Sequence, residues 1–384
     1  MDLLDRNTNS FKSGKGKNIA LLGSRKSGKT LIVKEHLKNA KDVVPIYIDL
    51  GKINLNPENF SVEFAGNVAF HFLKKPLSQY KKFLSLKHLS QIKNEISKNA
   101  FSLIKTIENE LLKIKPDQRL LVESAFSFAE ALARENRKKF LIVLDNIENL
   151  FDLNNFSQIK DILSIINFDP GNVNYIATSS AIKECLAALK KFECYEIKNL
   201  DKKESSELIK KIIGDNEKAE EEIYNFSKGH PFIIQLLSNK YIGIKSYRNK
   251  VSGELKNQGF LSDVKKSFLI ELLQKNNSIY NYCSDSLNYY YNRARGQTLL
   301  KTILKVIANE ELRLSDIAKR IYRSAPVTKS ILERLMEVDV IYKKEKKFFF
   351  SDDVLRLWLK LTSQGYEFDD IPDDKILDEA VKEL

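Results

Sequence analysis

Short apolar runs alternate with longer helix-patterned stretches across residues 1–199. Residues 18–22, 43–50, Phe140–Asp145, 173–180 and 194–198 are apolar with little polar alternation. Such runs fit strands buried on both faces, as in a parallel sheet covered by helices, with the last of them short enough for an edge. Between them, residues 31–37, 60–73 and 120–134 repeat apolar positions three and four apart, and the whole stretch 59–137 reads as helical. Lys74, Lys75, Lys81, Lys82 and Lys87 punctuate it and read as solvated helix faces. Asp201 followed by Glu204 predicts a capping box that opens a helical segment, and Gly229-His230-Pro231-Phe232 breaks one helix and starts another.

Beyond residue 298 the period changes again. Residues 299–307 form an amphipathic helix pattern, and 314–321 a short second helix with Ser315 as its expected cap. Pro326 fits the first turn of a third helix that runs through residues 331–336. Two strands follow at 340–342 and 348–350, joined by Lys343, Lys344, Glu345, Lys346 and Lys347. Three helices and a basic hairpin predict a winged helix-turn-helix. The expected division is 1–199, 200–297, 298–365 and an acidic tail at 366–384, read as repelling or mimicking nucleic acid or simply solvated.

Composition narrows the class. The chain has 384 residues, 43% of them hydrophobic, with 14 Gly and 8 Pro, which excludes collagen-like and wholly disordered chains. Three cysteines outside any Cys-x-x-Cys pair, and four histidines, exclude a disulfide scaffold and argue against structural zinc. No run approaches the length of a membrane span and the start lacks a leader pattern, so a cytoplasmic protein is expected. A net charge of +12 suits either a polyanionic partner or a lysine-rich solubilising surface.

The sharpest chemistry follows the first strand. Gly23-Ser24-Arg25-Lys26-Ser27-Gly28-Lys29-Thr30 fits G-x-x-x-x-G-K-[ST] at every fixed position, with a strand before it and a helix after it. Glycines let successive N–H groups turn toward phosphate oxygens, and the helix that follows aims its positive end at them. Lys29 reaches the β- and γ-phosphates of ATP, or the β-phosphate of ADP, and the Thr30 hydroxyl takes a Mg²⁺ position. Asp145, at the end of the buried 140–145 run, is the second expected metal group, assigned with Lys29 to catalysis. Thr178, Ser179 and Ser180 end another strand and read either as γ-phosphate sensors or as caps of the next helix. Together these features predict an α/β P-loop NTPase with a parallel sheet, a helical lid and the C-terminal winged helix. In that last module Lys329 and Arg334 on the third helix, and Lys343, Lys344, Lys346 and Lys347 on the hairpin, are the expected contacts to double-stranded DNA. Tyr280, Tyr282, Tyr289, Tyr290 and Tyr291 read either as base-stacking groups or as a buried helical face, the latter favoured.

The phosphate loop, 141–145, 176–180, Gly229-His230-Pro231 and the run Phe350-Ser351-Asp352-Asp353-Val354-Leu355-Arg356-Leu357-Trp358 together resemble the archaeal-type ATPases at the border of the STAND and AAA+ groups, relatives of origin-recognition initiators. The resemblance implies an ATP-dependent switch whose winged helix closes over the nucleotide, with Pro231 packed against adenine. Hydrolysing relatives place Glu after the strand-end Asp; here Asn146 stands there, which implies slow turnover unless Glu148 substitutes. Arg25, Arg293 and Arg295 are arginine-finger candidates. The expected function is DNA engagement controlled by ATP; the alternative is a STAND-type switch controlling a protein partner or self-association.

Overall fold

The computed structural model describes residues 2–166, 168–169, 171–250, 262–294 and 297–382. Arg295 lies outside them. The chain divides into two compact units: unit 1 is Met1–Ser24 with Gly28–Ile197, and unit 2 is Arg25–Ser27 with Lys198–Leu384.

Unit 1 begins with α1 (Asp2–Lys12), β1 (Asn18–Gly23), α2 (Lys29–Asn39) and β2 (Val44–Asp49). A helical layer follows, made of α3 (Pro57–Phe72), the short α4 (Tyr80–Phe83) and α5 (Leu86–Leu89), α6 (Lys98–Leu111) and α7 (Gln118–Glu135). The unit closes with β3 (Phe140–Asp145), α8 (Ile162–Ile165), β4 (Val173–Ser179), α9 (Ile182–Ala188) and β5 (Phe192–Ile197). All five strands are parallel in the order β2-β3-β4-β1-β5, so β4 separates the strand before the phosphate loop from the one that ends in Asp145. β5 is an edge, as expected, though at six residues it is as long as β1 and β3.

The period of two along each strand divides the sheet into two buried faces. Ile19, Leu21, Leu141, Val143 and Ile176 face α1 and α2 through Leu4, Val33 and Leu37. Ala20, Leu22, Ile46, Ile48, Ile142 and Leu144 face the α3–α7 layer, where Phe60, Phe64 and Phe126 cluster. Every residue of β1, β3 and β4 is buried, which is why their sequences show no alternation.

Unit 2 contains α10 (Lys202–Ile213), α11 (Glu217–Ser227), α12 (Pro231–Lys250), α13 (Asp263–Leu273), α14 (Ser278–Ala294) and α15 (Gln297–Asn309). Then come α16 (Leu314–Arg320), α17 (Ala325–Glu337), β6 (Ile341–Lys344), β7 (Lys347–Phe350), α18 (Asp353–Ser363) and α19 (Asp374–Val381). The Asp201–Glu204 capping box is formed at the start of α10. Pro231 opens α12 after Gly229, whose φ of 76° places it in the left-handed region; a Cβ there would meet the Leu200 carbonyl at 2.0 Å. One apolar cluster runs from Ile209 to Ala380 and takes in Tyr282, Tyr291 and Trp358, so the tyrosine-rich stretch serves as a packed helical face.

Three sequence expectations change in unit 2. Ser315 lies inside α16 and bonds Asp316; Arg313 holds the cap position without a side-chain bond, because its backbone is tied into a bridge with Lys347 of the hairpin. The loop expected at 343–347 shrinks to Glu345-Lys346, since Lys343, Lys344 and Lys347 extend the strands. The acidic segment read as solvated is in part packed over its described residues 366–382: α19 buries Leu377 and Ala380, and Lys275 pairs with Asp369 at 3.1 Å.

Candidate functional site

β1 delivers the chain to Gly23, where a Cβ would stand 2.4 Å from the Ile197 carbonyl. The first glycine of the loop is thus required by its approach to β5. Gly28 is required by conformation: its φ is 96°, and a Cβ there would meet nothing within 4 Å. Lys26 also adopts a positive φ of 56°. Arg25, Lys26 and Ser27 group with unit 2, within which His230 Nε2 lies 3.0 Å from the Arg25 carbonyl, and Lys26 Nζ stands 4.1 Å from the centre of the Phe232 ring. Burial pushes the Lys26 ammonium below its ordinary pKa, opposed by Asp285.

Lys29 is buried on the first turn of α2. Its ammonium donates to the carbonyls of Gly23 (2.8 Å) and Ser24 (2.7 Å) and lies 3.4 Å from Ser180 Oγ. One turn position on, the Thr30 hydroxyl reaches the Asp145 carboxylate, 3.0 and 2.9 Å from its two oxygens. Asp145 is 2% exposed and also accepts from Thr178 Oγ1 and from Tyr47 OH, the latter at 2.6 Å. Three hydroxyl donors on a buried carboxylate form charge-assisted bonds that fix its orientation. Burial, reinforced by Asp145, pushes the Tyr47 phenol far above its ordinary pKa, so Tyr47 acts as a neutral donor.

The strand-end hydroxyls part company. Thr178 holds Asp145 and accepts the Asn146 N–H at 3.2 Å; Ser180 meets Lys29; Ser179 turns back to accept the Ala181 N–H at 3.0 Å. Asn146 has the left-handed φ of 61° that Asn tolerates, and its amide donates to Asp49 Oδ1 at 2.9 Å. Glu148 is buried and accepts the Ser180 N–H at 3.1 Å. In unit 2, Lys329 is exposed and 3.8 Å from Glu333, whereas Arg334 is half-buried and donates to the Ala294 carbonyl at 3.3 Å. Lys343, Lys344, Lys346 and Lys347 are all exposed, with Lys347 3.8 Å from Glu311.

Tyr47 and Asp49 went unread in the sequence. β2, read with the uniformly apolar runs, alternates instead, and that is their signal: Ile46 and Ile48 face one side and Tyr47 and Asp49 the other, with Asp49 in register with Asp145. Among the described residues no group of three or more His, Cys, Asp or Glu side chains could hold a metal, and no helix is long and apolar enough to cross a membrane.

Comparisons with known proteins bear on the fold. No family model and no curated protein matches the sequence. Among solved structures, the Walker-type ATPase paby2304 of Pyrococcus abyssi is similar over 92% of this chain and 95% of its own, at 17% identity and a TM-score of 0.58. Cdc6p of Pyrobaculum aerophilum covers 99% of this chain and 92% of its own at 14% identity, and the RuvB branch migration motor of Thermotoga maritima 96% and 95% at 12%, each with a TM-score of 0.39. The first of these, with the parallel five-stranded sheet and the loop after β1, gives this chain the fold of a P-loop ATPase.

Proposed function

We propose that this chain is an ATP-binding switch with slow hydrolysis that engages double-stranded DNA through a winged helix formed by α15–α17 and the β6–β7 hairpin. The observation that carries the nucleotide reading is the meeting of Thr30 with Asp145, beside an ammonium set on the same loop. Mg²⁺ binds through one or two protein oxygens together with substrate phosphates and water, which suits a site with Thr30 and Asp145 and no third acidic ligand among the described residues. The metal neutralises phosphate charge when bound. Lys29 and the amides of residues 23–30 hold the phosphates, Thr178 and Tyr47 keep Asp145 oriented, and Ser180 lies where Lys29 can change partner.

Slow hydrolysis follows from Asn146. An amide cannot accept a proton, and this one is committed to Asp49. Glu148 Oε1 is engaged by the Ser180 N–H, which makes it a support for the strand end. DNA engagement is supported by the exposed hairpin lysines and by Lys329. A nucleotide-controlled docking unit for a protein is the second reading, favoured by Arg334, whose guanidinium is spent on the Ala294 carbonyl.

The test is fluorescent-ATP binding by wild type and Lys29→Ala. Binding by the wild type and its loss, a hundredfold or more, in the variant is expected; equal binding by both refutes the site.

A further inference from the structure

Unit 1 carries a markedly one-sided stretch of charge outside the 23–30 loop. Residues 71–98 hold seven lysines and one acid, Glu95. Residues 301–350, which contain the hairpin, hold twelve basic residues against seven acidic ones. Several of those basic groups are answered locally: Arg320 pairs with Glu310, Lys329 with Glu333 and Lys347 with Glu311. In 71–98 only Lys75 is answered, by Glu95. Lys74, Lys81, Lys82, Lys87, Lys93 and Lys98 are exposed and have no acidic partner among the described residues. The nearby Glu108 is itself engaged by Lys105 and Ser90.

These lysines stand on a fixed base. Phe83, Leu89 and Ile92 are buried beneath them, Phe70 meets Tyr80 and Phe83 edge-on, and Tyr80 OH donates to Asn67 at 2.8 Å. Gly66 admits the Phe83 carbonyl, 2.0 Å from where a Cβ would be. The apolar sides of α4 and α5 are therefore used, and the exposed Leu77 before α4 is a single apolar side chain, too little for an amphipathic face that enters a lipid surface. Protein interfaces are depleted in lysine and enriched in arginine and aromatic groups, whereas phosphate backbones are met by point charges without base readout.

We infer that residues 71–98 are a second phosphate-backbone surface, through which unit 1 binds double-stranded nucleic acid without reading its sequence. The choice of partner rests on the DNA reading above; the location does not.

The test is a salt titration of a short labelled duplex with wild type, with Lys81→Gln/Lys82→Gln/Lys87→Gln, and with all four hairpin lysines changed to Gln, each checked for unchanged circular dichroism. Each phosphate contact contributes about 0.9 to the slope of log K against log salt, so the three-lysine variant is expected to lose about 3 from that slope and at least tenfold in affinity. The same result with an unaffected hairpin variant supports this surface and removes the hairpin from the proposed function. An unchanged three-lysine variant beside a weakened hairpin variant overturns this surface alone. Absence of duplex binding by the wild type, or equal competition by polyglutamate, overturns it together with the DNA reading.

Discussion

At the scale of single residues, the chain uses buried polar groups as fixed struts. His36 on α2 is 1% exposed and lies 2.9 Å from both Asp5 Oδ1 and Thr8 Oγ1 of α1. A carboxylate only accepts, so Nδ1 carries the hydrogen, and neutral imidazole then offers Nε2 to the Thr8 hydroxyl. Burial lowers the His36 pKa, with Asp5 opposing it. Below about pH 6.5 the unfolded chain takes up a proton that the folded chain resists, so this contribution to stability is complete above that pH and is lost as the pH falls toward the folded-state value. Thermal melts between pH 7.5 and 5 should show a falling midpoint in wild type and a flatter profile in His36→Asn, which starts lower; parallel profiles would contradict the strut. Residue-level legibility followed distance along the chain. The Gly23–Thr30 loop was readable because its geometry is local, whereas Tyr47 reaches Asp145 only through the β2–β3 register.

At the scale of elements, β1, β3 and β4 were legible because burial on both faces leaves nothing to alternate, and the turn of the hairpin was not. Five charged or polar residues in a row look like a loop. Pairing of Lys344 with Lys347 instead leaves Glu345 and Lys346 as a two-residue turn, both at positive φ, 48° and 71°. That is the type I′ geometry, which follows strand twist and favours Asn-Gly. Neither resident residue is suited to it, and the left-handed region costs an ordinary residue on the order of 1 kcal/mol. Glu345→Asn with Lys346→Gly should therefore stabilise unit 2 by about 1 kcal/mol, read as a higher melting temperature. A lower one would mean the turn has another shape. Ser315 shows the converse error: a good capping residue lost its place because Arg313 is recruited to β7.

At the scale of the whole molecule, the two units hold separate apolar cores. Phe60, Phe64, Phe128 and Phe140 centre one side of the unit 1 sheet, and Leu4, Val33 and Leu37 cover the other. Unit 2 is centred on Phe268, Leu272, Leu304, Leu332 and Leu355. Cores built from different stretches of chain need not unfold together. Calorimetry should resolve two transitions. A ligand held by the loop after β1 stabilises the state that binds it by about 2.7 kcal/mol at a hundred times its dissociation constant. MgATP should accordingly raise the transition of unit 1, which carries Lys29, Thr30 and Asp145, and Lys29→Ala should remove that rise while leaving both transitions in place. A single transition that moves as a whole would show one cooperative molecule, and a rise that survives Lys29→Ala would put the nucleotide somewhere other than the loop that Lys29 closes.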